Sequence, residues 1–349
     1  MGSPFVPPLP RSKVPLAAGF ARRAAVAVAS VALVVTAGTI VGAGCDRDRD
    51  RKKDGSGSAG ASYSTDAPAA PTPTGKLLRI AMIAKTSANP SYLSARTGAE
   101  DRARELSLQV GAPIEVNWMT PSQEDGQVQA QRILQAVNER VDAILISCSD
   151  DQKVSDAIDD AVARGVAVMT FDSDAPRSRR FAHCGVDDVA LGEKLMAELA
   201  AVLAPVSSPA KDSGSGMHGP RKTPVPLKVA VLAGNRAALN LRGRVQGALN
   251  EAARHPELKV VGTFFHAETA QDASAQVLRT MAAHPDIAGW AMVGGWPLFN
   301  KTLLAELEAP GAGKRNSAYK IVSVNALPPQ QNYVEKAFAP VLLAQPTYL

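Results

Sequence analysis

Asp172 and Asp174 stand with one residue between them just past the apolar run Ala167–Phe171, with Pro176 close behind. Two carboxylates so placed can work as an acid–base pair, grip hydrogen-bond donors, or simply carry the chain out of the core. Acid–base catalysis needs further groups that the sequence does not supply. The five histidines, His183, His218, His255, His266 and His284, show no metal-ligand spacing. No Gly-x-Ser-x-Gly elbow and no phosphate loop occurs, and no partner histidine or nucleophile for the acids is evident in the sequence. No cofactor or metal is implied, and an enzyme is only a remote alternative.

The elements that must position these acids are legible in the hydrophobic pattern. From Leu77 the strand "LLRIAMIA" leads into a helical segment reaching about Leu106, followed by the strand "IEVNWM". Residues Gln123–Glu139 carry Ala130, Ile133, Leu134 and Val137 at helical spacing. The strand "AILIS", the helix Lys153–Arg164 and the strand "AVMTF" follow. A Gly/Ser/Pro-rich stretch, about residues 204–226, interrupts the alternation as a loop insertion. It then resumes: "LKVAVLA", helix Ala237–Arg254, "LKVVGTFF", helix Ala270–Ala283, "GWAMV", helix Pro297–Glu308, "YKIVSV". Near-continuous apolar strands alternating with amphipathic helices predict an α/β chain of two tandem Rossmann-like lobes with parallel sheets.

Ligands of open parallel sheets bind beyond the carboxyl ends of the strands. The edges read for this purpose offer Lys85, Asn89 and Tyr92; Cys148, Ser149 and Asp150; Asp172, Ser173 and Asp174; and Asn235 and Arg236, with Arg242 and Arg244 further on. They continue with Gly294, Gly295 and Trp296, and with Asn325. Trp118 and Trp290 lie within strands and are expected in the core.

Charge and the N-terminus bound the rest. The net charge is +5. Arg11, Lys13, Arg22 and Arg23 account for four of those charges and have no acid among residues 1–44, so the folded part is nearly neutral and nucleic acid is not an expected partner. The basic start, the apolar run Ala24–Val41 and "GAGC" ending at Cys45 have the order of an export signal. Residues 1–44 are expected to be a signal peptide or membrane anchor. "AGC" resembles the end of a lipoprotein signal, which implies lipidation at Cys45, although Gly42 stands where an aliphatic residue is usual. Residues 45–76, rich in Gly, Ser, Ala, Pro and mixed charge, read as a disordered tether. The folded part is therefore expected outside the cytoplasm, on the periplasmic or cell-surface side.

Four stretches together resemble the type I periplasmic sugar-binding proteins of ABC importers, the ribose-binding-like group. They are "RIAMIAKTSANPSYLSARTGAEDRARELS", "VDAILISCSDDQKVSDAIDDAVARGVAVMTFDSDAP", "VDDVALGEKLMAEL" and "LRGRVQGAL". The resemblance runs from about Leu77 to Gln345. It implies a first lobe at 77–186, a second at 187–345, a hinge, and a small carbohydrate held between them by a monomer serving an ABC permease.

Residue by residue, it implies ligand contacts from Asn89, Tyr92 and Asp172 in the first lobe. In the second it implies contacts from Arg244, with Arg242 beside it, from Asn325, and from Gln345 at the last hinge crossing. Lys85 and "FDSD" resemble relatives that bind rhamnose or a furanosyl autoinducer. Ser173 replaces the arginine of ribose binders, and Gly294-Gly295 replaces their Asn-Asp pair. A polyol suits such groups, because a carboxylate accepts two hydroxyl hydrogen bonds and an arginine fork donates two. Tyr92 and Trp296 could cover the C–H face of a sugar ring, and Asp174 is a second candidate acid.

The family's sheet places the strand before Asp172 between those ending at Cys148 and Cys184. Two strand spacings separate these cysteines by about 10 Å, beyond the disulfide limit of about 7 Å, so two free thiols are expected. The family continues after Gln345 with a helix returning to the first lobe. Residues 346–349 would begin that return, so the C-terminal part looks truncated and the 349-residue chain is expected to be poorly stable. A sugar or autoinducer sensor subunit for a membrane receptor is the main alternative function.

Overall fold

The computed structural model describes residues 74–207, 225–309 and 319–345. The expected signal or anchor, Cys45, nearly all of the tether, most of the loop insertion and residues 346–349 lie outside the described residues.

Strands β1 (Leu78–Ile83), β2 (Ile114–Trp118), β3 (Ala143–Ile146), β4 (Ala167–Phe171) and β5 (Ala182–Cys184) form one parallel sheet in the order β2-β1-β3-β4-β5. Helices α1 (Pro90–Val110), α2 (Gly126–Asn138) and α3 (Asp151–Ala163) connect them. After β5 the chain enters α4 (Asp188–Ser207), then β6 (Leu227–Ala233), α5 (Leu239–Ala252), β7 (Leu258–Phe265), α6 (Ala270–Ala283) and β8 (Ile287–Met292). A 3₁₀ turn (Trp296–Phe299), α7 (Lys301–Glu308), β9 (Lys320–Val324), α8 (Pro328–Glu335) and β10 (Val341–Leu343) complete it. The second sheet runs β10-β9-β8-β6-β7. Reversed, this is the order of the first sheet. The two lobes thus repeat one doubly wound topology, each with its switch point beside its own first strand.

The helices form where the sequence supplies caps. Asn89 accepts a 3.0 Å bond from the Ser91 N–H, Asp125 caps α2, and Asp150 caps α3 through the Gln152 N–H at 3.0 Å. Helix α1 runs four residues past the expected Leu106 and stops at Gly111, whose φ of 68° ends it in the left-handed region. Strands β1, β6, β8 and β9 bury successive residues and so face apolar packing on both sides, while β2, β5 and β10 at the edges bury none fully. Ile83, Ile144 and Val168 are fully buried in the first lobe, as are Val231, Ala291 and Val322 in the second.

Helices α4 and α5 pack backbone to backbone. A Cβ on Gly192 would collide with the Arg244 carbonyl oxygen, and one on Gly247 with the Val189 carbonyl oxygen. Only glycine permits this approach, and it sets Arg244 beside Asp188 at the start of α4. Strand β4 lies between the strands leading to Cys148 and Cys184, as the expectation of free thiols required, and both thiols are unpaired. Trp290 is fully buried as expected. Trp118 is only half-buried, because β2 is an edge strand, and the Arg96 guanidinium lies 5.5 Å from its ring centroid.

Candidate functional site

Asp172 follows β4 with φ at +55°, a conformation that non-glycine residues adopt rarely and that concentrates at functional sites. Both of its carboxylate oxygens are engaged. Oδ2 accepts 3.0 Å bonds from the Tyr92 and Ser147 hydroxyls, both in the first lobe. Oδ1 accepts from Asn240 Nδ2 at 3.0 Å and faces Arg244 Nη2 at 3.4 Å, both on α5 of the second lobe. Arg244 in turn donates through Nε to Asp188 Oδ1 at 2.8 Å and through Nη1 to the Val293 carbonyl at 3.2 Å. Lys85, almost fully buried after β1, donates to Asn240 Oδ1 at 3.0 Å. Asn240 therefore bridges a first-lobe cation and a first-lobe anion.

The charges support one another. Burial works to raise the Asp172 carboxyl, but Lys85, Arg244 and the two hydroxyls outweigh it and hold it below the ordinary carboxylate value. Burial opposes the Lys85 ammonium, yet Glu268, Glu124 and Asp172 more than compensate and raise its pKa. Burial and then Asp172 push the Tyr92 phenol well above its usual value, so it serves as a donor.

A second group of contacts crosses between the lobes nearby. Asn235, after β6, donates from Nδ2 to Glu124 Oε1 and to the Ser149 carbonyl, each at 3.0 Å. Its backbone N–H donates to Glu268 Oε1 at 3.0 Å. At the rim Arg242 Nη2 meets Asp151 Oδ1 at 3.1 Å.

Lys85, Tyr92, Asp172 and Arg244 are thus brought together, while Asn89 is engaged as the α1 cap. Asn325 follows β9 with φ at +72°, and its backbone N–H is held by the Leu343 carbonyl at 2.8 Å. Gln345 lies two residues beyond β10.

Three of the expected residues have other partners in this structure. The Asp174 carboxylate is consumed inside its own lobe by the Arg180 guanidinium, the Thr170 hydroxyl at 2.6 Å and the Ala175 N–H at 2.7 Å. Arg242, half-exposed at the rim, pairs with Asp151 of the other lobe. Trp296 belongs to the second-lobe core, because its ring packs over Gly294, where any Cβ would collide with it, and 4.9 Å from the His266 ring.

Ser147, Asp188, Asn240, Glu124 and Glu268 are site residues that the sequence alone does not single out. Glu124 and Glu268 follow β2 and β7, two edges outside the set considered above. The strand-edge rule, applied to every strand, reaches both.

Residues 80–349 match the model of the periplasmic binding protein domain. The chain belongs to that family. Over 154 residues it is 28% identical to the ribose import binding protein RbsB of Bacillus subtilis (strain 168), covering 41% of this chain and 48% of that protein. The chain thus spans about half the length of the curated relative it matches. An ABC-transporter solute-binding protein from Burkholderia graminis, solved with D-arabinose, shares the fold at a TM-score of 0.62 and 22% identity, over 75% of this chain and 81% of that one. GanP, a glucose–galactose binding protein from Geobacillus stearothermophilus, does so at 0.64 and 18%, over 78% and 86%. The fold, two parallel-sheet lobes, is that of type I periplasmic binding proteins. Among the described residues no helix is long and apolar enough to cross a membrane, and no group of three or more His, Cys, Asp or Glu could hold a metal ion.

Proposed function

We propose that this chain is the extracytoplasmic substrate-binding protein of an ABC importer, and that it closes on one small sugar or sugar-like polyol between its lobes. The observation that carries this reading is the Asp172 carboxylate, met by hydroxyls of one lobe and by an amide and a guanidinium of the other. A polyol hydroxyl both donates and accepts, so it can enter this ring in place of Asn240 and satisfy Asp172, Lys85 and Arg244 together. The relative and the neighbours carry names of ribose, arabinose, glucose and galactose binding, which supports a sugar of that size. Tyr92 and Asp172 then discriminate hydroxyl configuration, since a buried partner left unpaired costs about 1–3 kcal/mol. The protein performs no chemistry on its ligand, works as a monomer and hands the sugar to a permease. Cys45 carries the lipid anchor that holds it at the outer face of the membrane.

A second reading, in which the loaded protein signals to a partner protein, is favoured by one structural neighbour, XylFII in complex with LytSN. A thermal-shift screen with pentoses, deoxyhexoses, hexoses and inositols tests the sugar reading. At least one of them should raise the melting temperature, and failure of every class would refute it.

A further inference from the structure

Glu124 and Glu268 come from opposite lobes and meet in the closed cleft. Glu268 follows β7 with φ at +57° and is almost fully buried. Its side chain lies so close over Gly234 that a Cβ there would stand 2.5 Å from it. Asn235 ties the two glutamates together, giving its backbone N–H to Glu268 Oε1 and its side-chain amide to Glu124 Oε1. The other oxygen of each, Glu124 Oε2 and Glu268 Oε2, is buried without a donor from the protein. Two facing carboxylates with no donor between them repel, unless a proton sits on one and makes it the donor.

We propose that Glu124 and Glu268 form a proton-sharing latch between the lobes, so that closing the cleft takes up a proton and the closed state weakens as pH rises. The proposal rests on the reading of the lobes as a hinged pair, not on which sugar they hold.

The surroundings fix the sign. Lys85 is the cation facing the pair, with Asp172 and Arg244 beyond it. On its own loop Glu268 neighbours His266, whose Nδ1 accepts the Glu268 N–H at 3.0 Å and near which Asp272 lies. Burial lowers His266 to about 4, so the ring is neutral above that pH and does not compete as a switch. Burial first, then Glu124, raises the Glu268 carboxyl well above its ordinary value in spite of Lys85. In the open state the same group returns toward about 4.3. The closed state therefore binds the extra proton between these two values. Closure is strongest below the open value, weakens through the window, and is flat above the raised value.

Small-angle X-ray scattering of the full chain without sugar, from about pH 5 to about pH 9, tests this. The radius of gyration of the wild type should grow with pH. Glu268→Gln should stay compact throughout, because its amide donates permanently to Glu124, and Glu124→Gln should do the same by the reciprocal bond. Circular dichroism identifies either variant if it misfolds, and the other then decides. A wild-type radius that does not change with pH, or a folded glutamine variant that opens like the wild type, overturns the proposal. Since no sugar is present, this outcome is independent of the thermal-shift screen.

Discussion

Asp172 and Asp174 leave the same strand end two residues apart and meet opposite fates. Asp172, at φ +55°, is held by hydroxyls of its own lobe and by groups of the other. Asp174 is closed off by Arg180, Thr170 and a backbone N–H of its own lobe. Position at a carboxyl edge brings a side chain to the cleft. What decides its use is whether its partners span the lobes or pin its own loop.

The sharpest way to break this contrast is to remove each acid. Asp172→Ala should abolish any sugar-induced thermal shift. A carboxylate accepts up to two hydroxyl bonds from a polyol, and bonds to charged groups count for roughly 1.5–3 kcal/mol each, so affinity should fall at least about 100-fold by calorimetry. Asp174→Ala should keep the sugar response but lower stability by about 1–3 kcal/mol, read as a lower urea midpoint.

A pH series sharpens the second half. Burial pushes the Asp174 carboxyl up, but bonds from Arg180 and Thr170, with His183 nearby, outweigh it and hold the pKa below the ordinary value. A depressed folded value means its stabilisation is complete above the unfolded value of about 3.9 and is lost as pH falls through the folded one. The wild type should therefore lose more stability than Asp174→Asn on acidification below that point, as followed by denaturant midpoints. Arg242→Ala should have the smallest effect. Its rim pair with Asp151 is half-exposed on the arginine side, and Arg177 remains near Asp151, so the pair is worth about 1 kcal/mol or less and is weakened by salt. A modest, salt-dependent change in sugar affinity is the expected outcome.

Much of this arrangement is legible in the sequence. Apolar runs such as "AILIS" and "AVMTF" mark the strands, because both faces of a parallel sheet are buried, and the strand-end rule leads to Lys85, Asp172 and Asn235. Asn240 escapes that rule because it lies inside α5, seven residues after β6, where a polar residue reads as helix surface. Asp188 escapes because only the glycine-mediated approach of α4 and α5 sets it beside Arg244. Trp296 misleads because an aromatic after two glycines looks like an exposed loop. Gly294 is there to admit its ring into the core. Such facts depend on packing between distant segments, which local patterning does not encode.

The most direct test places the two acids side by side. The sugar giving the largest thermal shift is titrated by calorimetry into wild type, Asp172→Asn and Asp174→Asn. Binding lost only in Asp172→Asn is the predicted result. Equal affinity in Asp172→Asn and the wild type, or loss only in a folded Asp174→Asn, would contradict the assignment of Asp172 as the acid that holds the ligand.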